Sequence, residues 1–315
     1  MAIRADDAYS WSTEEASGTA KYVPNLFSKM FIKEYYKRAV LTEICNTNAE
    51  SSGIVKQGDV VTFRSLPSIT INDMAVNGAV SYERMAGAST IDLVIDRAKS
   101  FSFKLDDIDM TQTDLKGILQ PAFIEHARKT MDVAIATEFL ADMVDEGHAS
   151  NLGLTAGVIS ASINLGTHAA PLTLTKSNVL DFFSNCKLVL NEQEVNGTGR
   201  YIVIPSTVAS LIERSDLDSA DYSGMGEALR LKDGFIGSIC GFKIFESNCA
   251  PVDSSKEYDI VFGQKDAVCY VNQLNKVETL RLEGYFSDAV RALTVFDWKC
   301  VQTKALGNAV AKVQL

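Results

Sequence analysis

The chain has 315 residues, a formal net charge of −10, and 46% hydrophobic against 22% charged side chains. That is an ordinary globular composition, long enough for one large or two ordinary domains. It contains no run of eighteen apolar residues, which argues against a membrane helix. The acidic balance argues against a dominant nucleic-acid-binding role, because such affinity comes mainly from Lys and Arg neutralising phosphates.

Residues 1–24 hold Asp6, Asp7, Ser10, Ser12, Ser17, Gly18 and Pro24, with Tyr9 and Trp11 as the large apolar groups. They read as an extended arm without its own core, ordered by contact with something else. Acidic residues stand where a secretory signal would have its apolar core, so export is not indicated and synthesis in a cytoplasm is expected. Residues 25–46 carry Leu26, Met30, Tyr35 and Leu41 near helical spacing and predict one or two short helices.

From Ser51 to Phe103 the period changes to two. Strands are predicted at Gly58–Pro67, more weakly at Ser68–Met74, and over Ser89–Asp107, where Ile91, Leu93 and Ile95 alternate with Asp92, Val94 and Asp96. The two outer strands can pair only if the Gly- and Ala-rich stretch between them forms a projecting loop. A two-stranded ribbon of this kind is marginal alone in water and requires a partner surface.

The longest uninterrupted element is Thr111–Gly147. From Pro121 onward Ile124, Ala127, Met131, Ile135, Phe139 and Met143 recur at three- and four-residue spacing, opposite Glu125, Arg128, Lys129, Asp132 and Asp142. Pro121 suits a first helical turn, and Gly147 is expected to leave the helix in a left-handed conformation. Residues 147–175 contain no Asp, Glu, Lys or Arg and read as a connection. A helix follows over Lys176–Glu194, with Thr175 or Ser177 as its N-cap; then come a strand RYIVIP, a short helix after Pro205, a turned strand pair at Phe235–Asn248, and strands at EYDIVFG and DAVCYV. The alternating NKVETLRLEG and the run Asp288–Thr303 return to strands, ahead of a short, weakly patterned tail. These returning strands are the expected cover for the long helix.

The six cysteines are widely spaced without a C-x-x-C pair and read as buried free thiols. His126, His148 and His168 lack a second His at ligand spacing. Phosphate-cradle and dinucleotide fingerprints are absent, as is Gly-x-Ser-x-Gly. Asp106, Asp107 and Asp109 do not complete a calcium loop, because Gln112 and Ile118 stand where its Gly and Glu belong. No cofactor, metal or catalytic residue is expected.

The order of arm, two-stranded loop, long helix, α/β region and returning strands resembles the major capsid (coat) proteins of tailed bacteriophages, the Hong Kong 97-like fold. GDVVTFRSLPSI with STIDLVIDRAKSFSFKLDDIDMTQTD looks like the two sides of that family's extended loop leading into its spine helix. RYIVIPSTVASLIERSD with GFIGSICGFKIFESNCAP looks like its axial domain. The similarity spans roughly residues 25–300, and the order of the elements carries it more than any one motif.

The resemblance implies an α+β, Hong Kong 97-like capsid fold. An N-terminal arm and short helices would occupy 1–50, an extended β-loop 51–106, a peripheral domain with the spine helix and connection 107–174, an α/β axial domain 175–274, and returning peripheral strands and tail 275–315. It implies a structural, non-enzymatic subunit that self-assembles as pentamers and hexamers into an icosahedral head shell. The expected partners are a separate scaffolding protein, a portal protein, optionally a decoration protein, and packaged double-stranded DNA held weakly and non-specifically, with no membrane. The place is the virion, assembled in the bacterial host cytoplasm. Because Met1 is followed by only a short arm, scaffolding in trans and a subunit of essentially full length are expected. Arg64, Asp73, Glu83 and Arg84 are candidate inter-subunit charge contacts. Alternatives are an encapsulin-like nanocompartment shell and, more distantly, a soluble α/β enzyme.

Some members of the family join subunits through a loop lysine, yet no lysine occurs between Arg64 and Ala98. Assembled protein boiled in denaturant is therefore expected to run as one band near 34.3 kDa, and a ladder of linked subunits would contradict this.

Overall fold

A computed structural model describes residues 36–47, 60–65, 69, 71, 73, 82, 89–107, 119–215, 235–252 and 255–314. Along the chain the elements are α1 (Leu41–Ile44), β1 (Val60–Ser65), β2 (Ser89–Val94), β3 (Arg97–Asp106), α2 (Leu119–Asp145), β4 (Leu172–Leu174) and α3 (Val179–Glu192). Then come β5 (Arg200–Ile204), α4 (Ser206–Arg214), β6 (Phe235–Ile239), β7 (Phe242–Glu246), β8 (Glu257–Gln264), β9 (Val268–Arg281), β10 (Ser287–Cys300) and β11 (Leu306–Val313). They form a β1-β2 pair, a three-stranded β3-β10-β9 sheet and a six-stranded sheet in the order β4-β11-β8-β5-β7-β6.

Helix α2 runs 27 residues, about 40 Å at 1.5 Å per residue, with Pro121 in its first turn as expected. Its stripe is buried unevenly: Ile135, Ala136, Phe139, Leu140 and Met143 are inside, while Ile124, Ala127 and Met131 are half-exposed. The returning strands supply only part of the cover. Phe139 meets Trp298 of β10 edge-on, with centroids 5.4 Å apart. The same cluster takes in Tyr270 and Phe296 of that sheet, Tyr201, Val203 and Val261 of the six-stranded sheet, and Leu41 and Ile44 of α1. The helix thus wedges between two sheets. Gly147 does not adopt the left-handed conformation expected of it. It allows close approach instead, since a Cβ there would stand 3.2 Å from the Leu306 carbonyl oxygen.

The six-stranded sheet is covered on both faces, and strand alternation sorts its side chains between them. Tyr201, Val203, Val261 and Phe245 face the α2 cluster, whereas Ile202, Ile204, Ile260, Phe262 and Ile244 join α3 and α4 on the other side. Strand β5 is consequently buried along its whole length. The N-cap of helix α3 is Asn178 rather than Thr175 or Ser177, and the Asn178 Oδ1 accepts from the Thr175 amide at 2.7 Å.

Two further expectations are corrected. The weakly patterned tail is β11, a strand buried between β8 and β4. Its Gly307, Ala309 and Ala311 give little hydrophobic signal because the space is small: a Cβ on Gly307 would lie 2.6 Å from the Phe262 ring. The strand predicted over Ser89–Asp107 is broken at Ile95–Asp96, and its halves serve different sheets. β2 pairs with β1 from Ser65↔Ser89 to Val60↔Val94, and β3 pairs with β10 from Arg97↔Phe296 to Asp106↔Ser287. Period-two patterning continues through the break because both halves bury alternate residues.

The uncharged connection packs closely against the body. Asn151 is fully buried, and its Nδ2 donates to the carbonyls of Lys304 and Leu306 at 2.8 and 2.9 Å. Gly166 sits at φ +80°, with Val310 O only 2.1 Å from where a Cβ would be. The thiols of Cys45, Cys186, Cys249, Cys269 and Cys300 are buried and Cys240 is half-buried, and none of the six forms a disulfide among the described residues.

Phe139→Ala removes the ring at the junction of both sheets and is expected to cost about 3–5 kcal/mol, read as a lower midpoint in urea unfolding at unchanged slope. A chain stopped after Ala305 loses a central strand. It is expected not to fold cooperatively, and a native-like thermal transition in that truncation would refute the core role of β11.

Candidate assembly interface

At the break between β2 and β3, four side chains from three distant parts of the chain converge. Arg97 Nη2 donates to Asp142 Oδ2 at 2.7 Å and its Nε lies 3.4 Å from Asp297 Oδ1. Its guanidinium stacks 4.2 Å from the Trp298 ring centroid, and the Trp298 indole N–H donates to Asp142 Oδ2 at 3.2 Å. Asp297 also accepts from the amides of Asp96 and Trp298 at 3.4 and 2.7 Å. Burial pushes the Asp297 carboxyl up, against the lowering pull of those amides and of Arg97. Two residues further on, Lys99 reaches Glu138 at 2.5 Å. The root of the β1-β2 pair is therefore fastened to α2 and to β10 by planar, charge-assisted contacts.

Beyond that root the pair has few internal partners. Val61, Leu93 and Ile95 form a small cluster with Cys269 and Val271, while Val60 and Val94 face solvent. Ile71 and Tyr82 are 93% and 92% exposed, which fits a surface made to be covered. Arg64 lies opposite Thr90 in the ladder, exposed, and Asp73 is exposed as well. No ion pair joins either to another described residue, so the structure does not bring these two together. Glu83 and Arg84 lie outside the described residues.

At the other end of the long strands the β9-β10 hairpin carries a braced tip. Arg281 Nη1 donates to Asp107 Oδ1 at 2.8 Å and to Asp288 Oδ1 at 3.1 Å, and Arg281 Nη2 makes a second bond to Asp107. The hydrogen bonds from Arg281 hold the Asp107 carboxyl below its ordinary range. The Asp107 amide donates to Phe286 O at 2.9 Å, and Lys104 Nζ sits 5.2 Å from the Tyr285 ring centroid.

None of this composes a reaction centre. Among the described residues no group of three His, Cys, Asp or Glu could hold a metal ion, and no helix is long and apolar enough to cross a membrane. His126 bonds the Tyr36 hydroxyl, His148 accepts from the Ser150 amide at 3.2 Å, and His168 faces Glu257 and Asp259 at 3.6 and 3.4 Å. No nucleophile stands in those contacts. The Arg97 cluster escaped the sequence reading because its members lie at 97, 142 and 297; the only local sign is the charged pair Asp96–Arg97 inside an alternating strand.

No protein-family model and no curated protein sequence matches the chain. Solved structures do. One from Mycobacterium phage Che8 superposes with a TM-score of 0.72 at 27% identity, over 92% of this chain and 98% of that one. The capsid of the cyanophage P-SCSP1u gives 0.68 at 11% identity over 93% and 94%. The capsid of Ralstonia phage GP4 gives 0.65 at 11% over 93% and 96%. The chain is α+β and shares its fold, nearly end to end, with these phage structures, two of them capsids.

Arg97→Ala is expected to cost about 1–2 kcal/mol, reduced from a buried charged bond by partial exposure, and to speed amide exchange at Asp96 and in β2. Arg97→Lys restores charge without the planar fork and should recover little of the protection. Because the Asp107 pKa is depressed in the folded chain, its contribution is present above the ordinary carboxylate range and lost as pH falls through the folded value. Thermal unfolding of Asp107→Asn and the parent should therefore converge on acidification, and a gap that stays constant with pH would refute the pairing.

Proposed function

We infer that this chain is the major capsid protein of a tailed, double-stranded DNA bacteriophage, a subunit whose role is structural and not catalytic. The observation that carries the reading is the shared fold over more than nine-tenths of both chains with phage capsid proteins. It is supported by the exposed, apolar-rich β1-β2 pair, which cannot be stable on its own and gains cover in a closed shell of many copies.

Within that reading we assign the Hong Kong 97-like parts. β1, β2 and the residues between them form the extended loop; α2 with the β3-β10-β9 sheet forms the peripheral domain. The region 175–267 forms the axial domain, ending ahead of β9 (Val268–Arg281) and so short of the expected 274, and β11 adds its strand to it. Arg64 and Asp73 on the loop, with Glu83 and Arg84, are the proposed charge contacts to neighbouring subunits. Pentamers and hexamers build the shell, a separate scaffolding protein acts in trans, a portal protein occupies one vertex, and a decoration protein fits the outer surface. The net charge of −10 suits a container that does not grip its DNA. Assembly belongs in the host cytoplasm, and the virion is the final location.

The test is expression of the full chain together with the scaffolding protein from its own genome, followed by light scattering and negative-stain microscopy. Closed shells of uniform size are expected. A monodisperse monomer or small oligomer under those conditions would overturn the reading.

A further inference from the structure

In the link between α3 and β5, Asn196 is followed directly by Gly197. An asparagine side-chain amide can be attacked by the backbone nitrogen that follows it, and a glycine crowds that nitrogen least because it has no Cβ. Both residues are exposed, and a Cβ on Gly197 would meet no atom within 4 Å. Water therefore reaches the pair, and no packed side chain blocks it. The Gly197 amide donates to no described carbonyl.

Two donors stand at the atoms where negative charge develops. The Thr198 amide donates to Asn196 Oδ1 at 3.2 Å, an Asx turn that draws the side-chain amide forward along the chain. Oδ1 is the atom that becomes an oxyanion when the Gly197 nitrogen adds to Cγ. Loss of the Gly197 proton gives an amidate whose charge is shared with the Asn196 carbonyl oxygen, and that oxygen accepts from Arg200 Nε at 3.0 Å. Arg200 is 3% exposed, its Nη2 is fixed on the Val195 carbonyl at 2.6 Å, and no carboxylate stands beside it. The far end of the link is tied down as well: the Lys265 amide donates to Gly199 O at 3.1 Å and Gln264 Nε2 to Thr198 O at 3.2 Å. Donors held in place before a reaction need no reorganisation during it.

We propose that Asn196 is a self-modification site, closed by the Gly197 nitrogen to a succinimide and opened by water to aspartate and isoaspartate, with the Thr198 amide and Arg200 speeding the closure. The Gly197 N–Cγ bond forms and the Cγ–Nδ2 bond breaks; the Gly197 proton leaves with Nδ2 as ammonia. Water then opens the ring at Cγ to give aspartate, or at the backbone carbonyl carbon to give isoaspartate, in which the main chain runs through the former side chain. One water enters, one ammonia leaves and no electron is transferred. Each converted copy is one charge more negative than the −10 of the unmodified chain. The inference goes beyond the capsid reading and does not rest on it, so shells that form or fail to form leave it untouched.

The full chain is incubated at mildly alkaline pH in ¹⁸O-labelled water and then digested with trypsin, beside a synthetic peptide of residues 188–200. The label marks conversion that preceded digestion, and isoaspartate, which only the ring route yields, is recognised by its backbone fragmentation. Residue 196 is expected to convert about tenfold faster in the folded chain than in the peptide, which has the same sequence without the fixed donors. An equal or slower rate in the folded chain, or conversion confined to Asn77 of the chain's other Asn-Gly pair, overturns the proposal. Gly197→Ala, which the open surroundings admit, is expected to lower the rate about tenfold at an unchanged thermal midpoint; an undiminished rate there overturns ring closure. Arg200→Lys keeps a positive charge without the Nε donor, and in the folded variant the rate should fall toward that of the peptide. Full speed without Nε contradicts the part given to Arg200, and the comparison of parent chain with peptide decides the matter without any variant.

Discussion

The structure depends on one burial: the C-terminal half of α2 lies between two sheets at once. Phe139 touches Trp298 on one side, and the same cluster continues through Tyr201 and Val203 on the other. A helix with a single apolar stripe ordinarily needs one surface. Here Ile135, Ala136, Phe139, Leu140 and Met143 meet both the three-stranded and the six-stranded sheet, so the angle between the sheets is fixed by close packing of one set of side chains. The N-terminal half of the helix leaves that wedge, and its stripe is progressively less covered.

From the wedge the chain sends out parts that the monomer does not complete. β2 and β3 form one line of sequence, yet one half is stitched into the β10 ladder and the other only to β1. The Arg97, Asp142, Asp297 and Trp298 cluster stands where they separate, so the departure of the loop is set by side-chain geometry on the rigid body. The opposite end of β10 is braced by Arg281 in the same manner. A body that is internally satisfied, with rigid roots and exposed apolar extensions, suits assembly from many identical copies, where each extension finds its cover on a neighbour.

Much of this was legible in the sequence because the signals were periodic. The 3.6-residue stripe located α2, period-two alternation located β1, β2 and the second half of β9, a long run located β10, and the RYIVIP run followed by a helix after Pro205 located β5 and α4. β11 was missed because LGNAVAKV is small rather than strongly apolar, and its need for glycine comes from Phe262 and Asn151 packed against Gly307. The break at Ile95–Asp96 was invisible because it is decided by which distant strand each half pairs with. Of the charged residues singled out by sequence, Arg64 and Asp73 are exposed on or near the loop. The ionic contacts that organise the loop root join positions up to two hundred residues apart, where spacing carries no information.

Amide hydrogen exchange on the unassembled subunit and on assembled shells tests the central claim most directly. The wedge should already be protected in the free subunit, with slow amides through Ile135–Met143 and β5. The β1-β2 ladder from Val60 to Val94 should exchange fast when free and become protected on assembly. Equal protection of that ladder in both states, or an α2 that gains its protection only in the shell, would contradict the account.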